Sequence, residues 1–213
     1  MQVVVLANKK LKEEFLAYTT DSGSNMNLRW IEKPADYSGH YKEAACIDLL
    51  FENNKERVQW LNQFTDALIV VNSVIVPVEK INDDFVRING WNTFLKRPVV
   101  EAACNNEVLK KDTENLFSLF GRTVEWVPDI TGFITPRIIV SIINEAFIAL
   151  EEKVSNEKEI DTAMKLGTNY PYGPFEWADQ IGHENVYGLL HALEEEQSRY
   201  QPSLLLKQKV FAS

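Results

Sequence analysis

The chain has 213 residues, of which 45% are hydrophobic and 25% charged, and its 22 Lys and Arg against 31 Asp and Glu give a formal net charge of -9. This composition is that of a globular protein with one large or two small domains, and it excludes wholesale disorder. The acidic balance argues against nucleic acid as a partner, because a nucleic-acid binder needs a basic face.

Short runs rich in β-branched residues dominate the first 130 residues and predict strands. They lie at residues 3–6, 28–31, 45–51, 67–71, 86–91, 99–103 and 124–127. Helical patterns at residues 10–18, 55–64 and 111–120 separate several of them. This alternation predicts a mainly parallel sheet with helices packed against its faces.

The strand pattern stops after about Asp129. Pro136 suits the first position of a helix with Thr135 as its cap. Further helices are predicted from a cap at Ser155 to about residue 166, at residues 175–181 and, as the final one, at residues 186–193. We therefore expect a sheet domain at residues 1–130 and a helical domain at residues 131–213.

No apolar run reaches the roughly 18 residues that a membrane span requires. The amino terminus shows no basic stretch followed by a long apolar one, so we expect no signal peptide. Cys46 and Cys104 each lie in an apolar segment. We interpret them as reduced thiols of a cytoplasmic protein rather than as a disulfide.

Residues 129–181 carry the most specific pattern of the chain. It reads DITGFITPR, then INEA, IDTAMKLG and YPYGPFEWAD. This succession resembles the C-terminal helical domain of 3-hydroxyacyl-CoA dehydrogenases, and residues 200–210 resemble the closing stretch of that family. From about Ala45 onward the first half is similar to the nucleotide-binding domain of the same family. Before that point the chain is shorter, and a strand and a helical excursion are missing between Tyr18 and Leu28.

The resemblance implies an α/β fold, with a truncated Rossmann-like parallel-sheet domain followed by an all-α domain of the 3-hydroxyacyl-CoA dehydrogenase C-terminal type. It also implies NAD as the family's cofactor and a homodimer formed through the C-terminal helices. The turn after the first predicted strand, however, contains no glycine, and glycines normally let the backbone approach the pyrophosphate. Lys9 and Lys10 remain weak candidates for a phosphate contact. Glu32 is a weak candidate for a ribose contact, since residues 28–31 could match either the second or the third strand of the family.

Catalysis in the family uses a His base that a Glu orients, and only part of that pair is matched here. Glu101 matches the Glu, whereas Asn92 or a neighbour falls near the His position, and an asparagine cannot take a proton near pH 7. Asn144 matches the family Asn near the reacting group, with a hydrogen bond between helices as the alternative role. Asn72 and Ser73 match a substrate-contacting loop. No spacing of His or Cys residues indicates a metal site.

Three functional hypotheses follow. The chain could bind an acyl-CoA with NAD-dependent oxidation lost or impaired, which makes it a pseudoenzyme of fatty-acid metabolism. It could instead be a structural or regulatory dimer without a CoA ligand, or an active NAD-dependent 3-hydroxyacyl-CoA dehydrogenase. An open nucleotide pocket above Ala7 to Lys10 would favour the third hypothesis.

Overall fold

The computed structural model describes residues 2–19 and 27–212. The chain divides into two compact units, Met1–Phe133 and Ile134–Ser213. The described residues of the first unit contain a sheet with helices, and those of the second contain helices only. Among these residues, no helix has the length and apolar character to cross a membrane.

The described part of the first unit contains seven strands, which form one sheet in the order β2-β1-β3-β4-β5-β6-β7. The strands are β1 (Gln2–Leu6), β2 (Asn27–Ile31), β3 (Ala45–Asp48), β4 (Leu68–Asn72), β5 (Phe85–Ile88), β6 (Val99–Ala103) and β7 (Thr123–Trp126). Neighbouring strands are parallel except β5 and β6, which are antiparallel. The prediction of a mainly parallel Rossmann-like sheet is confirmed.

The position of β2 decides which strand residues 28–31 represent. β2 pairs with β1 in parallel, on the side opposite to β3. In the usual dinucleotide-binding order 3-2-1-4-5-6, this is the place of the second strand. Among the described residues, no strand lies outside β2. The predicted gap between Tyr18 and Leu28 falls largely on residues 20–26, which lie outside the described residues.

Helices cover both faces of the sheet, which explains why its central strands are apolar on both sides. On one face, Val3 and Val5 of β1 pack in a core with α1 (Lys9–Ala17) and α3 (Val108–Ser118). On the other face, Val4 and Leu6 pack with α2 (Lys55–Leu61). The four side chains of β1 are fully buried. Because successive side chains of a strand point to opposite faces, β1 contributes to two separate cores.

Arg87 of β5 is a fully buried cation at the centre of a polar network. Its guanidinium forms an ion pair with Asp129 and donates to the carbonyls of Ser73, Val74 and Ile130. The guanidinium also lies 4.2 Å from the ring centroid of Phe133. The end of β4, the strand β5 and the segment 129–133 are therefore held by one side chain.

Asp48, the last residue of β3, is a second buried charge in this unit. Its Oδ1 accepts a hydrogen bond from the Leu50 N–H at 3.1 Å. Its Oδ2 lies 3.0 Å from Nε of Arg57, as an ion pair without hydrogen-bond alignment. Burial raises the pKa of Asp48 to about 7, although the Arg57 charge acts in the opposite direction.

The second unit consists of α4 (Thr135–Glu151), α5 (Glu157–Thr168), α6 (Pro174–Ile181), α7 (His183–Glu194) and α8 (Leu204–Phe211). Two predicted caps are wrong by one residue: Ile134 occupies the N-cap position of α4 without a side-chain hydrogen bond, and Asn156 caps α5. The prediction that the chain's last helix ends near Leu193 is also wrong. The run of three leucines at residues 204–206 hides the helical period of α8, whose amide at Leu206 is capped by Ser203.

The most specific sequence pattern of the second unit has a packing reason. Asp161 of α5 accepts hydrogen bonds from the N–H groups of Phe175 at 2.9 Å and Glu176 at 3.2 Å. These groups are the free donors at the start of α6. A Cβ at Gly173 would lie 2.2 Å from Asp161 Oδ1, so this position requires glycine. The Asp161 carboxylate can therefore bind the start of α6 only because residue 173 has no side chain.

Replacing Arg87 by Met should destabilise the protein strongly. The substitution leaves Asp129 buried without its cation, and breaking a buried pair in this way costs about 3–5 kcal/mol. Urea unfolding would measure the loss. Lys9→Met is the matched control, because Lys9 is exposed and lies 4.0 Å from Glu13 on the surface. Equal losses in the two variants would contradict the central role of Arg87.

Replacing Asp48 by Asn should change how stability depends on pH. The folded pKa is about 7 against an ordinary value of 3.8, so the stabilising contribution of this carboxyl falls as pH rises between these values. The Asp48→Asn variant keeps an acceptor for the Leu50 amide, and it should therefore gain stability relative to the wild type as the pH rises from about 4 to about 7. Urea midpoints across this range would test it, with the exposed Asp84→Asn as control. Parallel pH curves for the wild type and the Asp48→Asn variant would refute the expectation.

Candidate functional site

The carboxyl ends of β3, β4 and β5 are tied together by Asn72, the last residue of β4. Its Nδ2 donates to the Leu49 carbonyl at 3.1 Å, and its Oδ1 accepts from the Gly90 N–H at 2.9 Å. A Cβ at position 90 would lie 2.9 Å from the Asn72 Cγ, so this approach requires glycine. The predicted substrate-binding Asn72 therefore uses both ends of its amide to hold strand ends together.

Ser73, the second predicted residue of the substrate loop, is 6% exposed. Its hydroxyl donates to the Val76 carbonyl at 2.8 Å, and its own carbonyl accepts from Arg87 at 3.0 Å. These bonds fix the loop that follows β4. The hydroxyl proton of Ser73 is used in the bond to the Val76 carbonyl, whereas the hydroxyl oxygen can still accept a hydrogen bond.

Glu101 of β6 is paired with an asparagine that the sequence did not single out. The register of β5 and β6 places Asn89 opposite Glu101, and the Asn89 N–H donates to the Glu101 carbonyl at 3.0 Å. The Asn89 Nδ2 donates to the Glu101 carboxylate at 3.0 Å. Burial lowers the pKa of Arg97, and the charge of Glu101 opposes this. An amide and a cation thus interact with Glu101.

The segment from Asn89 to Thr93 contains three buried oxygens without a hydrogen-bond partner in the described part of the chain. They are Oδ1 of Asn89, Oδ1 of Asn92 and Oγ1 of Thr93. Thr93 is a β-branched residue at φ 78°, a region that such residues rarely adopt. Its backbone N–H donates to Oε2 of the buried Glu14 at 2.7 Å. We call the five residues from Asn89 to Thr93 the acceptor loop.

Two buried charges join α1 to the segment that contains the acceptor loop. Glu14 of α1 bonds Thr93 and lies 3.9 Å from Lys96 Nζ. Arg122 donates from Nη2 to the carbonyls of Phe15 at 2.6 Å and Leu95 at 2.8 Å. Burial lowers the pKa of Arg122 to about 10. Glu14 lies on the apolar face of α1, one turn from Leu11, and this was the signal in the sequence that could have revealed it.

The start of α1 differs from a dinucleotide-binding turn in its hydrogen bonding. Asn8 caps the helix, and its side chain accepts from the Leu11 N–H at 2.9 Å. In a dinucleotide site, glycine backbone and free N–H groups at this place receive the pyrophosphate. Here a side chain takes one of these N–H groups, and no glycine opens the turn. The residues present do not fit a pyrophosphate cradle of that kind.

A depression of about 540 Å³ nevertheless lies at the carboxyl ends of β1 and β2. Its lining includes Ala7, Lys9, Trp30 and Glu32. Two of the three weak candidates for a nucleotide contact, Lys9 and Glu32, therefore line the same depression. Lys10 is exposed and is not part of this lining. Among the described residues, no group of three His, Cys, Asp or Glu side chains could hold a metal ion.

Asn144, in α4 of the second unit, is 6% exposed and has a structural use. Its Nδ2 donates to the Gln201 carbonyl at 2.9 Å, and its Oδ1 accepts from the Ser203 N–H at 2.9 Å. These bonds attach the turn before α8 to α4. The geometry therefore favours the packing alternative stated for Asn144, and its catalytic role stays a prediction.

The first unit thus places Asn72 and Ser73 at the end of β4 and Asn92 in the segment after β5, while Glu101 lies within the neighbouring strand β6. Sequence reasoning missed Asn89 as well as Glu14. Asn89 is recognised only by its place opposite Glu101 in the antiparallel pairing of β5 and β6. No local pattern around Asn89 in the sequence reveals that pairing.

Comparisons with known proteins identify the second unit. Residues 132–213 match the family described as 3-hydroxyacyl-CoA dehydrogenase, C-terminal domain. The 3-hydroxyadipyl-CoA dehydrogenase of Escherichia coli (strain K12) is 38% identical over 113 residues, which are 52% of this chain and 24% of that protein. The mitochondrial hydroxyacyl-coenzyme A dehydrogenase of Mus musculus is 34% identical over 146 residues, which are 65% of this chain and 46% of that protein.

A solved structure shows the same fold over nearly the whole chain. The (S)-3-hydroxybutyryl-CoA dehydrogenase of Ralstonia eutropha superposes with a TM-score of 0.78 and covers 99% of this chain and 93% of its own, at 21% identity. The two sequence relatives, in contrast, are matched over less than half of their own length. The family pattern, these relatives and the shared fold agree with one another. Residues 132–213 match the C-terminal domain of the 3-hydroxyacyl-CoA dehydrogenase family, and the chain as a whole is similar to dehydrogenases of that family in sequence and in fold.

Proposed function

We propose that this protein binds an acyl-CoA thioester and has lost, or retains only in impaired form, the NAD-dependent oxidation of its family. The proposal places it as a pseudoenzyme of fatty-acid metabolism. The relatives named above are called dehydrogenases of hydroxyacyl-CoA substrates, which supports the CoA thioester as the ligand class.

The single observation that carries the proposal is the pairing of Glu101 with the amide of Asn89. A dehydrogenase of this kind needs a base that accepts the hydroxyl proton, and no histidine lies between His40 and His183. Asn89 and Asn92 cannot accept a proton near neutral pH. Loss of a general base typically lowers the rate by about 10²- to 10⁴-fold.

The start of α1 supports the same conclusion for the cofactor. Asn8 occupies the Leu11 amide, and the turn lacks glycine, so a dinucleotide would find no open pyrophosphate cradle. We therefore propose that NAD is not bound in the ordinary way.

One observation favours the active enzyme as a second candidate. The depression beside Ala7 is open and contains both Lys9 and Glu32, so part of a nucleotide site is present. An NAD molecule could use these charges without the glycine turn. This candidate and the proposal differ in whether NADH binds.

The cysteines support a cytoplasmic location, which we propose together with the function. Cys46 and Cys104 are free thiols, and burial raises the pKa of each. A raised pKa keeps a thiol protonated and unreactive, as is usual for core cysteines of a reducing compartment.

Titration of the purified protein with NADH, with and without acetoacetyl-CoA, should give no saturable change in NADH fluorescence and no turnover. The same CoA ester alone should raise the melting temperature, because a ligand of the native state stabilises it. Saturable NADH binding with turnover would establish the active enzyme instead. An unchanged melting temperature in saturating CoA ester would refute acyl-CoA binding and leave the non-catalytic dimer.

We further propose a homodimer through the C-terminal helices. Ile134 and Ile138 of the second unit are 53% and 52% exposed, and they lie one helical turn apart. Exposed apolar residues in register on one helix mark a protein contact.

Ile138→Asp should shift the protein from dimer to monomer in sedimentation velocity. Dimer formation would bury the introduced carboxylate without its hydration, and that burial is costly. Val154→Asp is the matched control, since Val154 is also exposed but lies beyond the end of α4. A monomeric wild type, or equal dissociation of the two variants, would contradict this interface.

A further inference from the structure

We propose that the buried carboxyl of Asp48 is a pH-sensitive switch for the segment 49–54, which joins β3 to α2. When the carboxyl is deprotonated, it holds the Arg57 side chain against this segment. When the carboxyl binds a proton, Arg57 is released and the exposed part of the segment opens. The switch lies within the first unit and involves no acyl-CoA ligand, so it goes beyond the proposed function.

A closed ring of contacts joins Asp48, Leu50 and Arg57. The Asp48 Oδ1 accepts from the Leu50 N–H at 3.1 Å, and the Oδ2 lies 3.0 Å from Nε of Arg57. Nη2 of Arg57 in turn donates to the Leu50 carbonyl at 2.8 Å. The ion pair therefore holds both backbone polar groups of Leu50. Asp48 is fully buried and the Arg57 side chain is 11% exposed, so the pair is shielded from water.

The part of the segment beyond Leu50 depends on this ring, whereas Leu49 has attachments of its own. The Leu49 N–H donates to the Leu6 carbonyl at 2.9 Å, and the Leu49 carbonyl accepts from Nδ2 of Asn72 at 3.1 Å. Residues 52–54, in contrast, are exposed. Release of the guanidinium therefore frees the chain beyond Leu50 and leaves Leu49 attached to the sheet.

The charged surroundings of Asp48 explain why its proton exchanges near neutral pH. Among the described residues, Arg57 of α2 attracts a proton away from the carboxyl, and Glu52 of the segment favours the protonated form. The thiol of Cys46 on β3 stays protonated, because burial raises its pKa well above the ordinary value. The residues beside Asp48 on β1 and β4 are apolar. Burial outweighs the Arg57 charge and raises the pKa of Asp48 to about 7.

Protonation of Asp48 opens only one side of the ring. A proton on Oδ2 removes the negative charge beside Arg57, and a buried cation without its counter-ion is strongly destabilised. The long side chain of Arg57 avoids this cost by carrying its guanidinium outward into water. The neutral carboxyl still accepts from the Leu50 N–H at Oδ1. The closed form therefore predominates above the pKa of Asp48 and the open form below it.

Proton exchange at Nε of Arg57, followed by NMR on the full chain, tests the switch. Base catalyses this exchange, so the rate in a released guanidinium rises in proportion to the hydroxide concentration. In the wild type we expect the rate to level off above the pKa of Asp48, because the fraction of the open form falls in the same proportion. The carboxyl carbon of Asp48 should titrate with the same midpoint of about 7.

Two variants connect the release of Arg57 to the Asp48 proton. Asp48→Asn is neutral at every pH, so its rate should keep rising and exceed the wild-type rate about tenfold at one pH unit above the midpoint. Glu52→Gln removes a charge that raises the pKa of Asp48, so the carboxyl midpoint and the point of levelling should both move to lower pH. The exposed Asp84→Asn is the matched control and should change neither.

Three outcomes would overturn the proposal. The first is a wild-type rate that rises steadily with pH. The second is slow exchange above neutral pH in the Asp48→Asn variant, since other groups would then hold Arg57. The third is a Glu52→Gln variant in which the carboxyl midpoint moves and the point of levelling does not, because this separates the release of Arg57 from the protonation of Asp48.

Discussion

The buried guanidinium of Arg87 is the interaction on which the first unit depends. A cation without exposure to water is costly unless it is paired and hydrogen-bonded, so its surroundings must supply acceptors from several directions. Asp129 supplies the charge, and the carbonyls of Ser73, Val74 and Ile130 supply the remaining bonds. Because these partners lie on different segments, the loop after β4 and the segment after β7 cannot move independently of β5. The rigidity of the strand ends at the candidate site therefore depends on the Arg87 side chain.

The polar residues around the strand ends divide into two groups by what their atoms bind. Asn72 and Ser73 are committed to backbone groups, and they hold the framework in place. In the acceptor loop, Asn89 is committed on one side only, and its oxygen remains unpaired. Residue type and position in the sequence do not distinguish these groups. The distinction is in the hydrogen bonds, since an unpaired buried oxygen marks a place where the framework is incomplete.

The family pattern is clear in the helical unit, and the differences from it lie in the first unit. Asp161 and Gly173 still form the junction between α5 and α6, which needs that carboxylate and that glycine for purely geometric reasons. At the start of α1, in contrast, Asn8 satisfies an amide that a dinucleotide would otherwise bind. Packing constraints act on the whole fold, whereas a cofactor turn is constrained only as long as it binds the cofactor. If NAD binding is lost as proposed, this difference explains how one chain can carry a clear family pattern beside a turn without glycine.

The sequence by itself determined the seven strands, the sheet class, the helical second half and the family, because apolar periodicity and short motifs are local properties of the chain. It missed α8, whose leucine run hides the helical period, and it left the place of β2 open. It also selected Glu101 and Asn92 but not Asn89 or Glu14. Only the tertiary structure decided those points and the roles of Asn72 and Asn144. The partners of Asn72 and Asn144 lie 18 or more residues away along the chain, and hydrogen bonds over such separations depend on strand register and helix packing, which no local pattern encodes.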